Sequence, residues 1–435
     1  MTRRFRISPL HEHLVRPRAG LSGEVWNLRF QVNEAMEGIE DTIPDTTAPL
    51  ITDWYLDELG GDDGNTGDDP ASALASNDEL MRRLRFQRLD QHVIVHVLSS
   101  LSKLFVYGLS IGINGSISYT AEPTVVYTGT FTGYTPKNAA TNQAHQVEDI
   151  ALGDWGPYVG ARIKITSGAG AGGVAWIAKN LGAGQARVST FVDLTTLTPP
   201  VLFFPPVVVP SPGDTYVIET LPAVEHLSVD DFPVDAPGSL ATDYARVVFS
   251  NLAIRTDASL NNNPVKLSKL TTRFIGCVLE GIIPFYGQLM AVGCCFSTFI
   301  NISGSQGTLY AGQSLFTGAG VGLQGAYIVL YDCLFSENAY VVLSGSVNLR
   351  DECGFMETAD DGMGIGYGTV YSYAKVWGDG NTGYGIDVAK GATFYLYAGH
   401  PHTITGTLGD WGVGGDVRTH AQVPYTNLAN YAKVI

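Results

Sequence analysis

Leu330-Tyr-Asp-Cys-Leu-Phe335 returns twenty residues later as Arg350-Asp-Glu-Cys-Gly-Phe355. Upstream, Ala311-Gly-Gln-Ser-Leu-Phe316, Ala291-Val-Gly-Cys-Cys-Phe296, Phe274-Ile-Gly-Cys-Val-Leu279 and Phe249-Ser-Asn-Leu-Ala-Ile254 align with the same pattern. The fourth positions are Leu252, Cys277, Cys294, Ser314, Cys333 and Cys353, at steps of 25, 17, 20, 19 and 20 residues. Tyr373–Trp377 continues the series in a slipped register. A period near 20 with a strand at each recurrence is what a parallel β-helix coil requires. Three short strands and their turns use about that many residues, and coils stack at ~4.8 Å. A leucine-rich repeat has a similar period but needs Leu-x-x-Leu-x-Leu and Asn signatures, which are absent. The expected fold is therefore all-β: a right-handed parallel β-helix with an N-terminal helical segment and an inserted small β-domain.

The cysteines follow from this register. Four of the five occupy one site in successive coils, with an aromatic or Leu two residues later on the same strand face. Cys277, Cys294, Cys333 and Cys353 are expected to be inward, inert free thiols in a stacked core. Their neighbour Cys295 points the other way and is expected to be reactive. Five cysteines in 435 residues are no disulfide framework, and a reducing cytoplasm is the expected place of synthesis.

Glycan cleavage on such a scaffold needs paired carboxylates on neighbouring coils. Asp332 and Glu352 each precede a ladder cysteine and are expected to face outward, one above the other, with Asp351, Glu337, Asp360 and Asp361 nearby. The plainer reading of outward acids is a polar surface, and no residue is assigned a catalytic, cofactor-binding or metal role. Asp62, Asp63, Asn65, Asp68 and Asp69 form an oxygen-rich loop without EF-hand spacing. His92 with His96, and His400 with His402, share strand faces but lack a third ligand.

Residues 129–226 interrupt the repeat and read as an inserted β-domain. Within it, Gly168-Ala-Gly-Ala-Gly-Gly173 follows a strand at Ile163–Thr166, and Asp193 lies 20 residues on, a dinucleotide fingerprint on paper. The apolar run Val174–Leu181 is too short for the crossover helix, and no second βα unit follows.

Ahead of the repeats, Val25, Leu28, Val32, Ala35 and Ile39 fall on a 3-4-3-4 spacing within Gly23–Asp41, and Pro44 stops the pattern. Two heptads do not hold a helix alone. The seam either meets partner chains or packs on its own domain. Arg3, Arg4, Arg6, Arg16 and Arg18 precede it, whereas Glu34–Glu79 holds 14 acidic residues and no Lys or Arg. This basic arm reads as a docking segment or as a solvated tail. Ser76-Asn-Asp-Glu79 is a capping box that opens a short helix.

Charge and composition set further limits. A net charge of −16 argues against nucleic acid bound over a broad surface. No signal peptide and no run of ~20 apolar residues is visible. The chain divides into 1–50, an anchor and oligomerisation helix; 51–128, a cap and first coils; 129–226, the insert; 227–405, the main β-helix; and 406–435, a tail.

Two resemblances bear on function. The order of strand, Asp/Gly/Asn-rich loop, short helix and strands over Trp54–Tyr119 resembles the opening of pectin-lyase-like β-helices. There the helix covers the open end of the stack. The insert resembles a small β module of bacteriophage tail and fibre proteins, in Ile165–Gly172 and Pro212–Ile218, although one residue is missing between Pro212 and Gly213. Together these look like a bacteriophage tail-fibre, tailspike or related virion protein. The resemblance implies a homotrimer held in the virion through its N-terminal region, adsorption to bacterial surface polysaccharide, and no cofactor. A polysaccharide lyase or glycoside hydrolase of the same fold is the alternative.

Overall fold

The chain divides into two units, residues 1–50 and 51–435. The structure, a computed structural model, describes residues 52–419 except 86, 113–114, 197–204, 231–246, 255–264, 268–271, 285–287, 319, 339, 374–375, 397–402, 408 and 414–415. The expected N-terminal seam, the basic arm and His400/His402 lie outside the described residues.

The repeats form a parallel β-solenoid of about 10 turns, and strands make up 55% of the structure. One face runs through Asp53–Leu56, His92–Val97, Ser116–Ala121, Val247–Ser250, Thr272–Ile275 and Gln288–Val292, each paired in parallel with the next. A second face stacks Ala223–Val224, Ala253–Ile254, Leu315–Thr317, Leu334–Ser336 and Gly354–Met356 with parts of longer strands between them. Between these two faces each coil turns through one left-handed residue: Asn251, Gly276, Gly293, Gln313, Asp332 and Asp351, with φ between 49° and 57°. The N–H of each of the first five donates to the next coil, as from Gln313 to the Tyr331 carbonyl at 2.7 Å, so the corner is hydrogen-bonded from coil to coil.

The aligned ladder positions Leu252, Cys277, Cys294, Ser314, Cys333 and Cys353 are all buried. Each polar side chain among them finds a carbonyl: Cys277 Sγ donates to Phe249 O at 3.4 Å, and Ser314 Oγ donates to Gly312 O at 2.9 Å. Two residues on, Phe296, Phe316, Phe335 and Phe355 stack almost parallel, with centroids 4.3, 4.4 and 4.5 Å apart. Each such ring pair contributes ~0.5–1.5 kcal/mol beyond simple burial.

Near the N-terminal coils, Asn77–Leu84 is helical and buries Leu80, Met81 and Leu84. Ser76 Oγ accepts from Glu79 N at 3.2 Å, the first half of the expected capping box. The reciprocal half is absent. Ser76 N donates to Asp63 instead (2.8 Å), and Glu79 turns to Arg82 and Arg83 (both 2.6 Å).

The insert replaces one corner turn. The chain leaves the solenoid after Ala121 and rejoins it at Ala223, where a neighbouring coil has only Asn251 and Leu252. Both ends touch that corner: Asn251 Nδ2 donates to Ala121 O (3.2 Å), and Ala253 N donates to Pro222 O (2.9 Å). Between them an antiparallel sheet joins Thr124–Thr130, Thr215–Thr220, Arg162–Ile165, Gly173–Gly182, Gln185–Val188, His145–Glu148 and Gly133–Thr135 in that order. Trp155, Phe131, Phe191, Tyr216 and Ile163 are among the residues of its own core.

Candidate functional site

The insert lies across the outer side of the second face, and this contact contains the acidic pair singled out in the sequence. Its apolar centre is Trp176, with Ala139, Ala144 and Ala178 of the insert. These pack on Ala253, Val278, Cys295, Leu315, Leu334, Met356 and Trp377, the outward side chains of successive coils. Trp176 is 1% exposed and donates its indole N–H to Gly293 O at 2.7 Å. Cys295 does point away from the coil, as the register requires, but it is buried under the insert rather than reactive.

Three polar clusters surround this centre. In the first, Lys137 Nζ sits 2.5 Å from Asp332 Oδ1 and 3.9 Å from Glu352 Oε2. Thr190 Oγ1 donates to Asp332 Oδ2 at 2.9 Å. Asp332 is 6% exposed, and burial pushes its carboxyl above the usual aspartate range, with Lys137 only partly restoring it. His145 lies in the same small cavity. Its Nδ1 accepts from Tyr134 O–H (2.6 Å) and Lys137 N–H (3.2 Å), which places its proton on Nε2. Burial, then the Lys137 charge, pushes its pKa down to about 3, so the ring is neutral.

In the second, Arg187 reaches Glu357 at 2.7 Å, and Lys179 reaches Glu357 (2.8 Å) and Glu337 (2.9 Å). Burial alone would raise the Glu357 carboxyl; Arg187 and Lys179 bring it below the ordinary glutamate value. In the third, Arg162 joins Glu219 of the insert (2.6 Å) to the corner residue Asn251 (2.6 Å).

The expected stacking of Asp332 and Glu352 needs correction. Tyr331 pairs with Arg350, and Leu334 pairs with Gly354, so the second of these two coils carries one extra residue at this corner. The left-handed position above Asp332 is Asp351, and Glu352 is the residue added. Asp332 is outward with respect to the coil yet enclosed by the insert. Asp332 and Glu352 line one small cavity between the insert and the coil. Elsewhere, burial, then Asp361 and Asp360, push the Asp387 carboxyl upward.

The remaining motifs resolve locally. Gly168–Gly173 is a hairpin turn between the antiparallel strands Arg162–Ile165 and Gly173–Gly182, and among the described residues no α-helix follows it in the insert's sheet as the fingerprint requires. Asp193 pairs with Gly173 in the sheet rather than reaching a ribose. The aspartates of the N-terminal loop serve nearby donors: Asp62 accepts from Gly64 N, Asp63 from Ser76, and Asp69 from Ala71 N and Ser72 N. Among the described residues no group of three or more His, Cys, Asp or Glu is placed to hold a metal ion. His92 meets Ser116 Oγ (2.5 Å), while His96 meets Asp53 (3.2 Å) and stacks on Tyr55. Among those residues, too, no helix is long and apolar enough to cross a membrane.

No family model matches the chain, and no curated protein matches it. Among solved structures, a GH136 lacto-N-biosidase from Eubacterium ramulus aligns at 12% identity and a TM-score of 0.24, over 91% of this chain and 70% of that one. A glycoside hydrolase aligns at 8% identity and 0.24, over 85% and 97%. The tailspike gp61 of Pseudomonas phage phi297 aligns at 9% and 0.21, over 77% and 69%. Likenesses this slight bear on neither activity nor partner.

Proposed function

We propose that the chain is a structural protein of a tailed-bacteriophage particle, a tail fibre, tailspike or decoration, that serves attachment to the host surface. The observation that carries the reading is the insert. The two halves of its tail-fibre-like motif, Ile165–Gly172 and Pro212–Ile218, meet in one sheet, where Arg162–Ile165 pairs with Thr215–Thr220. That module is clamped to a β-helix whose corner carboxylates hold it in place. Asp332, Glu337 and Glu357 are thereby committed to Lys137, Lys179 and Arg187.

In this reading the chain is a homotrimer in the virion. Residues 1–50 join it to other virion proteins, and bacterial surface polysaccharide is the outward ligand. The test adds purified protein to host cells ahead of the particle. Adsorption of the particle should fall, surface polysaccharide should release no oligosaccharides, and a chain starting at Thr52 should remain β-rich but fail to enter particles. Undiminished adsorption, or normal incorporation of the shortened chain, refutes it. One observation favours the second reading, glycan cleavage: the raised Asp387 carboxyl beside Asp360 and Asp361. Oligosaccharide release that Asp387→Asn abolishes would decide for that reading.

A further inference from the structure

We propose that Lys137 and Asp332 condense to an intramolecular isopeptide bond that welds the insert to the β-helix, with Glu352 as the proton carrier. The reacting groups are in place before any motion. Nζ stands 2.5 Å from Oδ1, Asp332 is fixed at a hydrogen-bonded coil corner, and Lys137 N–H is anchored on His145. Groups held this way react with effective concentrations on the order of 10⁵–10⁸ M. Thr190 Oγ1 donates to the other carboxyl oxygen at 2.9 Å, where negative charge grows as the carbonyl is attacked. Glu352 Oε2, 3.9 Å from Nζ, is the one further carboxylate that Lys137 contacts among the described residues.

The surroundings separate this pair from the other ion pairs of the contact. Val188, Cys333, Leu334 and Trp377 line its cavity, and the two side chains are 17% and 6% exposed. Burial disfavours both charges, so the ammonium–carboxylate pair can pass one proton across its hydrogen bond and become amine and acid. Burial raises the Asp332 carboxyl; burial also works to lower Lys137, but the Asp332 charge and hydrogen bond, with Asp351 and Glu352, carry its ammonium above the ordinary lysine value, so the ion pair is the resting state and the neutral pair the minor, reactive one. Lys179 also lies within hydrogen-bond distance of its acids, at 2.8 and 2.9 Å, but those side chains are 29–39% exposed. Water there keeps the ions charged, and that contact stays an ion pair.

The step balances without an outside reagent. One proton moves from Nζ to Oδ1. The amine lone pair then forms the Nζ–Cγ bond, and the carbonyl electron pair moves onto Oδ2 toward Thr190. The nitrogen sheds a second proton to Glu352, which returns it to Oδ1. The Cγ–Oδ1 bond breaks, one water leaves, and a neutral amide remains.

Intact mass of the full chain under denaturing conditions tests this independently of any attachment assay. The wild type should be lighter than its sequence by one water. Trypsin should leave residues 104–162 and 274–350 as one branched species, because linked Lys137 is no longer cleaved. Lys137→Arg should have the full sequence mass, and Glu352→Gln should leave most chains unlinked. A wild-type chain of full mass, or a water loss with Lys137 still open to trypsin, overturns the bond. Complete linkage in Glu352→Gln overturns the proton route.

Discussion

Replacing Trp176 with Ala should expose one cysteine and leave its neighbour protected. Trp176 carries the apolar centre of the contact and donates to Gly293 O. Truncating a buried Trp costs ~3–5 kcal/mol, and the carbonyl it served loses its partner. The loss falls on docking rather than on the coil, because the residues that Trp176 meets there face outward. In a Lys137→Arg background, which lacks the covalent link to Asp332, the undocked population rises about a hundred- to a few thousand-fold at ~1.4 kcal/mol per factor of ten. Cys295 then becomes accessible to a thiol reagent, and its pKa, which burial holds well above the cysteine norm, relaxes downward. Cys294, the preceding residue, stays inside the coil. Iodoacetamide labelling under native conditions, resolved by site, reads both at once. The wild type should label at none of its five thiols until denatured. Labelling of wild-type Cys295 at the rate of a free thiol would refute the docked arrangement. So would equal gains at Cys294 and Cys295 in the variant, which would mean that the coil itself had opened.

Two further outcomes follow from the ladder. Cys333→Ser should cost only ~1 kcal/mol in denaturant unfolding, below the ~1–3 kcal/mol of an unsatisfied hydroxyl, since Ser314 already donates to the carbonyl two residues back and Tyr331 O is placed alike; a cost above ~3 kcal/mol contradicts this. Burial pushes Cys277 up to about 11 from 9.0, so above pH ~9 the unfolded chain loses this proton first. Its contribution, complete below that pH, then falls by ~1.4 kcal/mol per pH unit until about 11. Cys277→Ala should make the alkaline decline of the unfolding free energy, measured in urea, shallower by that amount, and an unchanged slope refutes the burial of this thiol.

The coil was legible because it is local and periodic: Cys333 and Cys353 announce their register within twenty residues. The same periodicity placed Phe335 and Phe355 correctly inside. What escaped was every contact between parts far apart in the chain. Asp332 read as a surface acid because its partner, Lys137, is 195 positions away, within the insert. Cys295 read as exposed because nothing marks Trp176 as an outward rather than a core residue of its strand. Glu352 read as the stacked partner because a one-residue insertion at a corner leaves the spacing of the cysteines at 20. A long-range clue did exist in hindsight: the outward column Ala253, Val278, Cys295, Leu315 and Leu334 is apolar, and a solvent-facing column in a soluble coil would alternate with polar groups.

The two ends of the insert meet at a single corner, held by Asn251 and Ala253 of the adjoining coil. A segment of about one hundred residues therefore begins and ends at the position of a turn, and the strands on either side keep their pairing whatever lies between. The corner is a natural splice point. Genetic exchange there can trade one appended module for another without re-registering the coils, provided the newcomer is matched to the column it covers. An orphaned column of apolar side chains is the penalty for a mismatch, so the module and the outer face beneath it should change together as lineages diverge.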